Sequence, residues 1–261
     1  MITQEEFKKF APGARQDYID AFCSAQGFEW LSAYNITDTA DRFCGFMGNV
    51  GHETGGFRIV RESLNYRTPS RLREVWPSRF GHRSDRELAR YLQDERTLAD
   101  AVYSGRMGNR PGTSDAYDFR GAGPMQTTGR EDFIDIGKKI GVDLLADPSL
   151  INNMTIMLAA ACVEWGERGC NDACDNGDFE GASCIINAGV GTYLKIKRRG
   201  GSFSEAVVGL SDRKLWRRRA LGVWGDDPDL GDPPAAERDD GVPTDSVPGQ
   251  ETHWTDPVEA V

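Results

Sequence analysis

The sequence has few residues of the kinds that build catalytic metal centres or membrane spans. It contains three histidines in 261 residues, which is little material for a histidine-rich metal site. No apolar run approaches the roughly 20 residues of a membrane helix, and the N-terminus lacks the basic and apolar segments of a secretion signal. We therefore predict a protein made in the cytoplasm, a monomer with no metal, no cofactor and no stable membrane insertion.

Cysteine is also scarce, with six residues in the whole chain. That fraction is too small for a disulfide scaffold, so most of the cysteines are predicted to be buried thiols. Four of them lie between Cys162 and Cys184, which keeps a local disulfide or a zinc site open. Their spacing lacks the Cys-x-x-Cys pair typical of zinc sites, which makes that alternative the less favoured one.

The net charge of −10 arises at one end of the chain. Residues 226–261 hold eleven acidic residues against Arg238 alone, half of the prolines and almost no aliphatic core formers. This composition predicts a disordered acidic tail or linker. Residues 1–225 are neutral, with 30 acidic and 30 basic groups, and are predicted to form one compact domain.

A basic stretch covers residues 195–219, with nine Lys or Arg against Glu205 and Asp212. A positive surface there would suit an anionic cell envelope or nucleic acid. A solvated helix face explains the same pattern equally well.

Helix signals recur through residues 1–225, whereas strand signals are few. Apolar residues spaced by three and four predict core helices over residues 40–51 and 154–165, and residues 57–60 are the best strand candidate. The pattern predicts a mainly α fold, which is formally of the α+β class because it includes one small β element. Capping-box spacing, typical of helix starts, occurs at Thr3 with Glu6, Ser84 with Glu87, Thr128 with Glu131, and Ser202 with Glu205.

Glu53 is the first candidate for chemistry, because the double glycine at 55 and 56 ends a helix directly after it. The negative end of the helix dipole and the apolar helix face should both raise the pKa of Glu53. A carboxyl that keeps its proton near neutral pH is what a general acid needs. A surface glutamate beside a helix end remains the alternative. The pair His52-Glu53 does not begin a zinc-protease motif, since position 56 is glycine.

Glu62 follows nine residues later, and an extended segment between the two would carry it across a groove from Glu53. Two carboxyls about 6.5–9.5 Å apart would suit cleavage of a glycosidic bond with inversion, one as acid and one as base. A surface glutamate paired with Arg61 or Arg67 is the alternative on spacing alone.

A glycine-containing loop over residues 120–129 supplies uncharged polar groups next to a predicted helix start. Gln126 and Thr128 suit sugar hydroxyls, acetamides or a positioned water. Thr128 could equally serve as the helix cap, and a hydroxyl can fill both roles because it donates and accepts.

Together these segments resemble glycoside hydrolase family 19, a group of chitinases and phage lysozymes with a lysozyme-like α-rich fold. The resemblance spans about residues 38–225, and its motifs stand in family order. They are Gly-His-Glu-Thr-Gly-Gly-Phe at 51–57, Glu-Ser-Leu-Asn-Tyr at 62–66, residues 102–109, Arg-Gly-Ala-Gly-Pro-Met-Gln-Thr-Thr-Gly at 120–129, and residues 177–180 with Ile-Asn-Ala-Gly at 186–189.

The resemblance implies that Glu53 is the general acid, Glu62 the general base and Thr128 the residue that holds the attacking water. It also implies substrate binding by polar side chains along the cleft. These are Gln126, Asn187, Tyr66, Asn109 and Arg120. Ala122 and Ala188 depart from the usual family residues, Arg and Gly, so the resemblance does not define the subsite contacts there.

We therefore expect an endolysin that hydrolyses β-1,4 bonds in the glycan strands of peptidoglycan. It would stay in the host cytoplasm until a holin opens the membrane, and then act at the periplasm and cell wall. A chitinase or an interbacterial wall-degrading toxin is the alternative enzyme. A non-catalytic wall-binding or virion protein is the alternative without activity, and a nucleic-acid binder is least favoured. The acidic tail could fold back on the basic stretch and weaken binding to the wall.

Overall fold

The computed structural model describes residues 1–225, which are predominantly helical, as predicted. The acidic tail predicted for residues 226–261 lies outside the described residues. The helices are α1 (Gln4–Phe10), α2 (Gln16–Cys23), α3 (Ala25–Ala33), α4 (Ala40–Glu53), α5 (Pro69–Val75), α6 (Pro77–Phe80), α7 (Asp85–Leu88), α8 (Glu95–Tyr103), α9 (Asp115–Asp118), α10 (Arg130–Ile140), α11 (Met154–Glu167), α12 (Cys170–Asp175), α13 (Phe179–Arg199) and α14 (Leu210–Trp224), with short 3-10 helices at Ala89–Tyr91 and Pro148–Asn152.

Helix α4 lies at the centre and packs along α14. Glycines on the contact face bring the two helices close together. A side chain at position 48 would come within 2.9 Å of the Arg217 Cβ, and one at position 51 within 2.7 Å of the Trp216 ring. Helix α4 is therefore held in place by α14, the last helix of residues 1–225.

The apolar residues form three main clusters. The first joins α1, α2, α4 and α11, the second lies under α5 to α9, and the third lies between α10 and α11. Helix α11 contributes to two of them and is buried over most of its length, which confirms the core helix predicted at 154–165.

The β element is smaller than predicted and begins later. Residues 54–58 form turns, and Phe57 adopts a left-handed φ of +63°, so the strand predicted at residues 57–60 is wrong. The fully buried Phe57 ring packs edge-on against Phe7 and Phe10, and this packing overrides its strand propensity. The antiparallel pairing consists of bridges from Arg61 to Ala122 and from Ala122 to Thr127.

Two of the four predicted capping boxes are present, at Thr3 and Ser84. The one at Thr128 is wrong, because α10 begins after Gly129 and the Thr128 hydroxyl bonds the Gln126 carbonyl instead. The one at Ser202 is also wrong, since residues 203–209 form turns and the Ser202 hydroxyl pairs with Ser204.

All six cysteines are free thiols, and five of them are buried, as predicted for most of them. Among residues 1–225, no group of three His, Cys, Asp or Glu side chains is arranged to hold a metal ion. None of the helices described combines the length and apolar character of a bilayer crossing.

Candidate active site

Glu53 is the last residue of α4 and is only 8% exposed, so its interpretation as a surface glutamate is wrong. The helix ends there because Gly55 and Gly56 both adopt positive φ, +55° and +75°, as the double glycine predicts. The Thr54 hydroxyl accepts a hydrogen bond from the Phe57 amide at 2.8 Å and fixes the chain reversal after Glu53.

The partner of Glu53 is Arg213 of α14, a fully buried guanidinium that donates to the Glu53 Oε1. Arg213 also donates to the Asn49 side-chain oxygen at 2.8 Å and to the Val208 carbonyl at 3.2 Å. Arg213 thus places a positive charge against Glu53 inside the protein. The sequence around Glu53 does not predict this contact, because Arg213 lies 160 residues later in the chain.

Arg213 also changes the interpretation of the basic stretch. Arg213 and Arg219 are buried, so these two residues do not contribute to a surface charge. Lys195, Lys197 and Arg198 are exposed on the last turns of α13. The positive surface predicted for residues 195–219 is therefore limited to part of the stretch.

Glu62 is also buried, at 6% exposure, so the alternative of a surface ion pair is wrong for this residue as well. The Tyr103 hydroxyl donates to both carboxylate oxygens, at 2.9 and 3.1 Å, and the Gly121 amide donates to Oε2 at 3.2 Å. Burial raises the pKa of Glu62 to about 7, although these hydrogen bonds and the charges of Arg120 and Arg61 act in the opposite direction.

The loop at 120–129 is paired with the segment that carries Glu62. The Glu62 amide donates to the Gly121 carbonyl at 2.9 Å, and the Arg120 Nε donates to the Glu62 carbonyl at 3.2 Å. The Arg120 guanidinium lies 3.9 Å from the Tyr117 ring centre. Arg120 thus orients the backbone of Glu62, and it remains a predicted substrate-binding residue.

Gln126 is the last residue of the tight turn in this β element, and Thr128 follows the bridge residue Thr127. Gln126 adopts φ +54°, and its side-chain nitrogen donates to the Gly123 carbonyl at 3.1 Å. The Thr128 hydroxyl donates to the Gln126 carbonyl at 2.6 Å. The turn is tied to the Glu62 segment through the Thr127–Ala122 and Ala122–Arg61 bridges.

A third buried carboxyl, Glu164 of α11, is bonded to the segment of this turn. Its Oε1 accepts a hydrogen bond from the Thr127 hydroxyl. Burial raises the pKa of Glu164, and the nearby charge of Glu53 adds to the increase. The sequence interpretation missed Glu164, Tyr103 and Arg213, although a Glu within the apolar helix 154–165 was a visible signal.

The structure places the remaining predicted residues as follows. Asn109 is buried, with its side chain bonded to the Tyr103 carbonyl and the Arg130 amide. The Tyr66 ring is buried against Trp76.

Asn187 accepts a hydrogen bond from the Val208 amide at 2.8 Å, and the Val208 carbonyl is bonded to Arg213. Asn187 is thereby connected to the Glu53 end of the site. The bonds of Asn109 and the packing of Tyr66 build the site walls, while substrate contact by these residues stays a prediction.

Comparisons with known proteins bear on this arrangement. No protein-family model matches the chain. A glycosyl hydrolase family 19 domain-containing protein of Haemophilus influenzae is 26% identical over 194 residues, which are 73% of this chain and 89% of that protein.

Among solved structures, chitinase C from Streptomyces griseus matches with a TM-score of 0.54 at 18% identity, over 88% of this chain and 96% of that one. A mutant of chitinase C matches with a TM-score of 0.51 at 16% identity, over 88% and 79%. The lysozyme-like fold class and the resemblance to glycoside hydrolase family 19 are thereby confirmed.

Proposed function

We propose that this chain, a glycoside hydrolase of the family 19 type, hydrolyses the β-1,4 bonds of bacterial peptidoglycan with inversion, as an endolysin does. One observation carries the proposal. Two buried glutamates, Glu53 and Glu62, have surroundings of opposite electrostatic character: the Arg213 guanidinium contacts the first, and burial raises the pKa of the second. Inverting hydrolysis requires such a difference, because one carboxyl must give up a proton while the other takes one.

We assign Glu53 as the acid and Glu62 as the base from the family resemblance, and the surroundings stabilise the form that each carboxyl reaches after its proton transfer. When Glu53 has donated its proton to the leaving sugar oxygen, the Arg213 guanidinium stabilises the carboxylate that remains. When Glu62 has taken a proton from water, burial stabilises its neutral form, as its pKa of about 7 indicates. Thr128, at the end of the β element that holds Glu62, would hold the attacking water.

Peptidoglycan and chitin share β-1,4-linked N-acetylated amino sugars, so the polymer needs its own argument. Lys195 and Arg198 are exposed on α13, whereas Lys197 there is paired with Asp178, and the two exposed cations suit an anionic cell wall more than neutral chitin. Host-cell lysis, as a monomer released from the host cytoplasm, is the role we propose on this basis. Chitin hydrolysis is the second candidate, since the structural match is to a protein named as a chitinase.

Purified sacculi and chitin oligomers, digested side by side, test this assignment. We expect new reducing ends from sacculi, an inverted anomer in the first products by NMR, and little turnover of chitin oligomers. Efficient cleavage of chitin with intact sacculi would instead support the chitinase. Glu53→Gln and Glu62→Gln should each lower the rate by roughly a thousandfold or more while the fold is kept. Full activity in either variant would refute the acid and base roles.

A further inference from the structure

Glu164 is a carboxyl on α11, a helix that is buried over most of its length. It is 4% exposed, and its neighbours on α11 from Met157 to Trp165 are buried as well. Arg168, one turn later and about one-third exposed, lies 2.7 Å from the Glu164 Oε2, but without hydrogen-bond geometry. The only hydrogen-bond donor shown for this carboxyl within residues 1–225 is the Thr127 hydroxyl.

Thr127 lies between two residues of the proposed mechanism, Gln126 and Thr128. Its side chain is buried, while Gln126 and Thr128 on either side are partly exposed. Its carbonyl accepts the Ala122 amide at 3.1 Å, so the backbone of Thr127 is held on the side of the β element. Its hydroxyl is held by Glu164 of α11.

The turn needs such restraint, because Gln126 adopts a left-handed φ of +54°, which residues other than glycine rarely occupy. Thr128 reaches back to the Gln126 carbonyl at 2.6 Å, so a change of backbone angle at Gln126 would displace the Thr128 hydroxyl. Anchoring Thr127 keeps both neighbours in place.

We infer that Glu164 is a positioning residue for the hydrolysis, because it holds the Thr127 hydroxyl and thereby fixes Gln126 and Thr128 on the β element that pairs with the Glu62 segment. The inference rests on the proposed function, in which Thr128 holds the attacking water. Glu164 itself touches neither water nor sugar in this role. The competing explanation is that Glu164 serves stability alone, through its ion pair with Arg168.

Thr127→Val is the decisive variant, since it removes one hydroxyl and keeps the shape of the side chain. We expect kcat to fall by roughly tenfold or more with KM changed less than about twofold, as for loss of one hydrogen bond to a charged group. Thr127→Ser should restore the rate because it keeps the hydroxyl. Glu164→Leu should match Thr127→Val, and the double variant should be no slower than either single variant.

Two matched controls separate positioning from stability. Arg168→Met removes the ion pair and leaves the Thr127 bond, and Val163→Ala weakens α11 by a buried cavity. Both should lose stability and keep kcat. If Thr127→Val keeps full kcat, or if the controls lose as much kcat at equal loss of Tm, the inference is wrong. If Glu164→Leu does not fold, the comparison of Thr127→Val with Thr127→Ser tests the inference without it.

Amide hydrogen exchange gives a readout that needs no substrate. Exchange over residues 122–128 should accelerate in Thr127→Val and stay at the wild-type rate in Arg168→Met. Unchanged exchange in Thr127→Val would overturn the inference even if the enzyme is active. If the wild-type protein cleaves no glycan, the proposed function fails, whereas the exchange data still report on the turn.

Discussion

The Tyr103 hydroxyl bridges both carboxylate oxygens of Glu62, at 2.9 and 3.1 Å, inside the protein. Burial and the nearby Glu62 raise the pKa of Tyr103 far above its ordinary value, so the phenol remains a donor throughout the working pH range. It is the largest of the contributions that lower the pKa of Glu62 and thereby oppose the effect of burial.

Replacing this donor should displace the pH dependence of the reaction. In Tyr103→Phe the pKa of Glu62 rises above its value of about 7, so the limb of the pH–rate profile that requires ionised Glu62 moves to higher pH, by about 1 unit. Tyr18→Phe is the control, since the Tyr18 hydroxyl donates to the Ile59 carbonyl. The prediction fails if the limb stays in place in Tyr103→Phe.

Glu62 should cost stability at neutral pH. Its pKa in the folded protein is about 7, against an ordinary value of 4.5, so the folded state binds the proton more tightly. The contribution of Glu62 to the free energy of unfolding is therefore fully present below about pH 4.5 and is lost as the pH rises towards 7. Glu62→Gln should unfold at higher temperature than wild type at pH 8, with a gain on the order of 2–3 kcal/mol, and show no gain at pH 4.

Thermal unfolding at the two pH values measures this difference. Glu29→Gln, a change at an exposed position of α3, provides the control and should show no gain at either pH. Equal unfolding temperatures of Glu62→Gln and wild type at pH 8 would contradict the prediction.

Removing the cation beside Glu53 should destabilise the protein strongly. Arg213→Met leaves a buried carboxyl without its partner and also deprives the Asn49 side chain of a donor, so we expect a loss of about 3–5 kcal/mol in urea unfolding. Arg218→Met, an exposed position on the same helix, should change stability by less than about 0.5 kcal/mol. Similar losses in both variants would show that the buried pair contributes nothing specific.

Two glycines form a matched test of the packing between α14 and the end of α4. Gly200 and Gly209 have φ of +65° and +67°, but an added Cβ meets nothing within 4 Å at Gly200 and the His52 ring at 2.1 Å at Gly209. Gly200→Ala should cost about 1 kcal/mol from backbone strain. Gly209→Ala should cost about 2 kcal/mol more, because the His52 ring must move. Chemical denaturation compares them, and equal losses would argue against the close packing at His52.

Much of the helical framework follows from local sequence. The end of α4 after Glu53 is predictable because Gly55 and Gly56 supply the positive φ that stops a helix. Core helix α11 is predictable from apolar spacing. Phe57 has the composition of a strand residue but not its conformation, because its ring is drawn into an aromatic cluster built by α1 and α2.

The partners of the two glutamates could not be predicted in the same way. Arg213 lies in a run of basic residues that predicts surface charge, and only the packing of α14 on α4 buries it. Thr128 has capping-box spacing with Glu131, yet its hydroxyl is used by the turn. The burial of Arg213 and the bonding of Thr128 depend on how the chain packs in three dimensions. Patterns within a short stretch of sequence do not predict such contacts.

The Glu53–Arg213 pair joins positions 160 residues apart in the chain. During translation, α4 leaves the ribosome long before α14 has been synthesised, so Glu53 has no cationic partner until nearly all of residues 1–225 have emerged. A polypeptide interrupted before Arg213 lacks this partner altogether. The pairing thus delays completion of the proposed catalytic centre until late in synthesis, so we expect truncated products to be inactive.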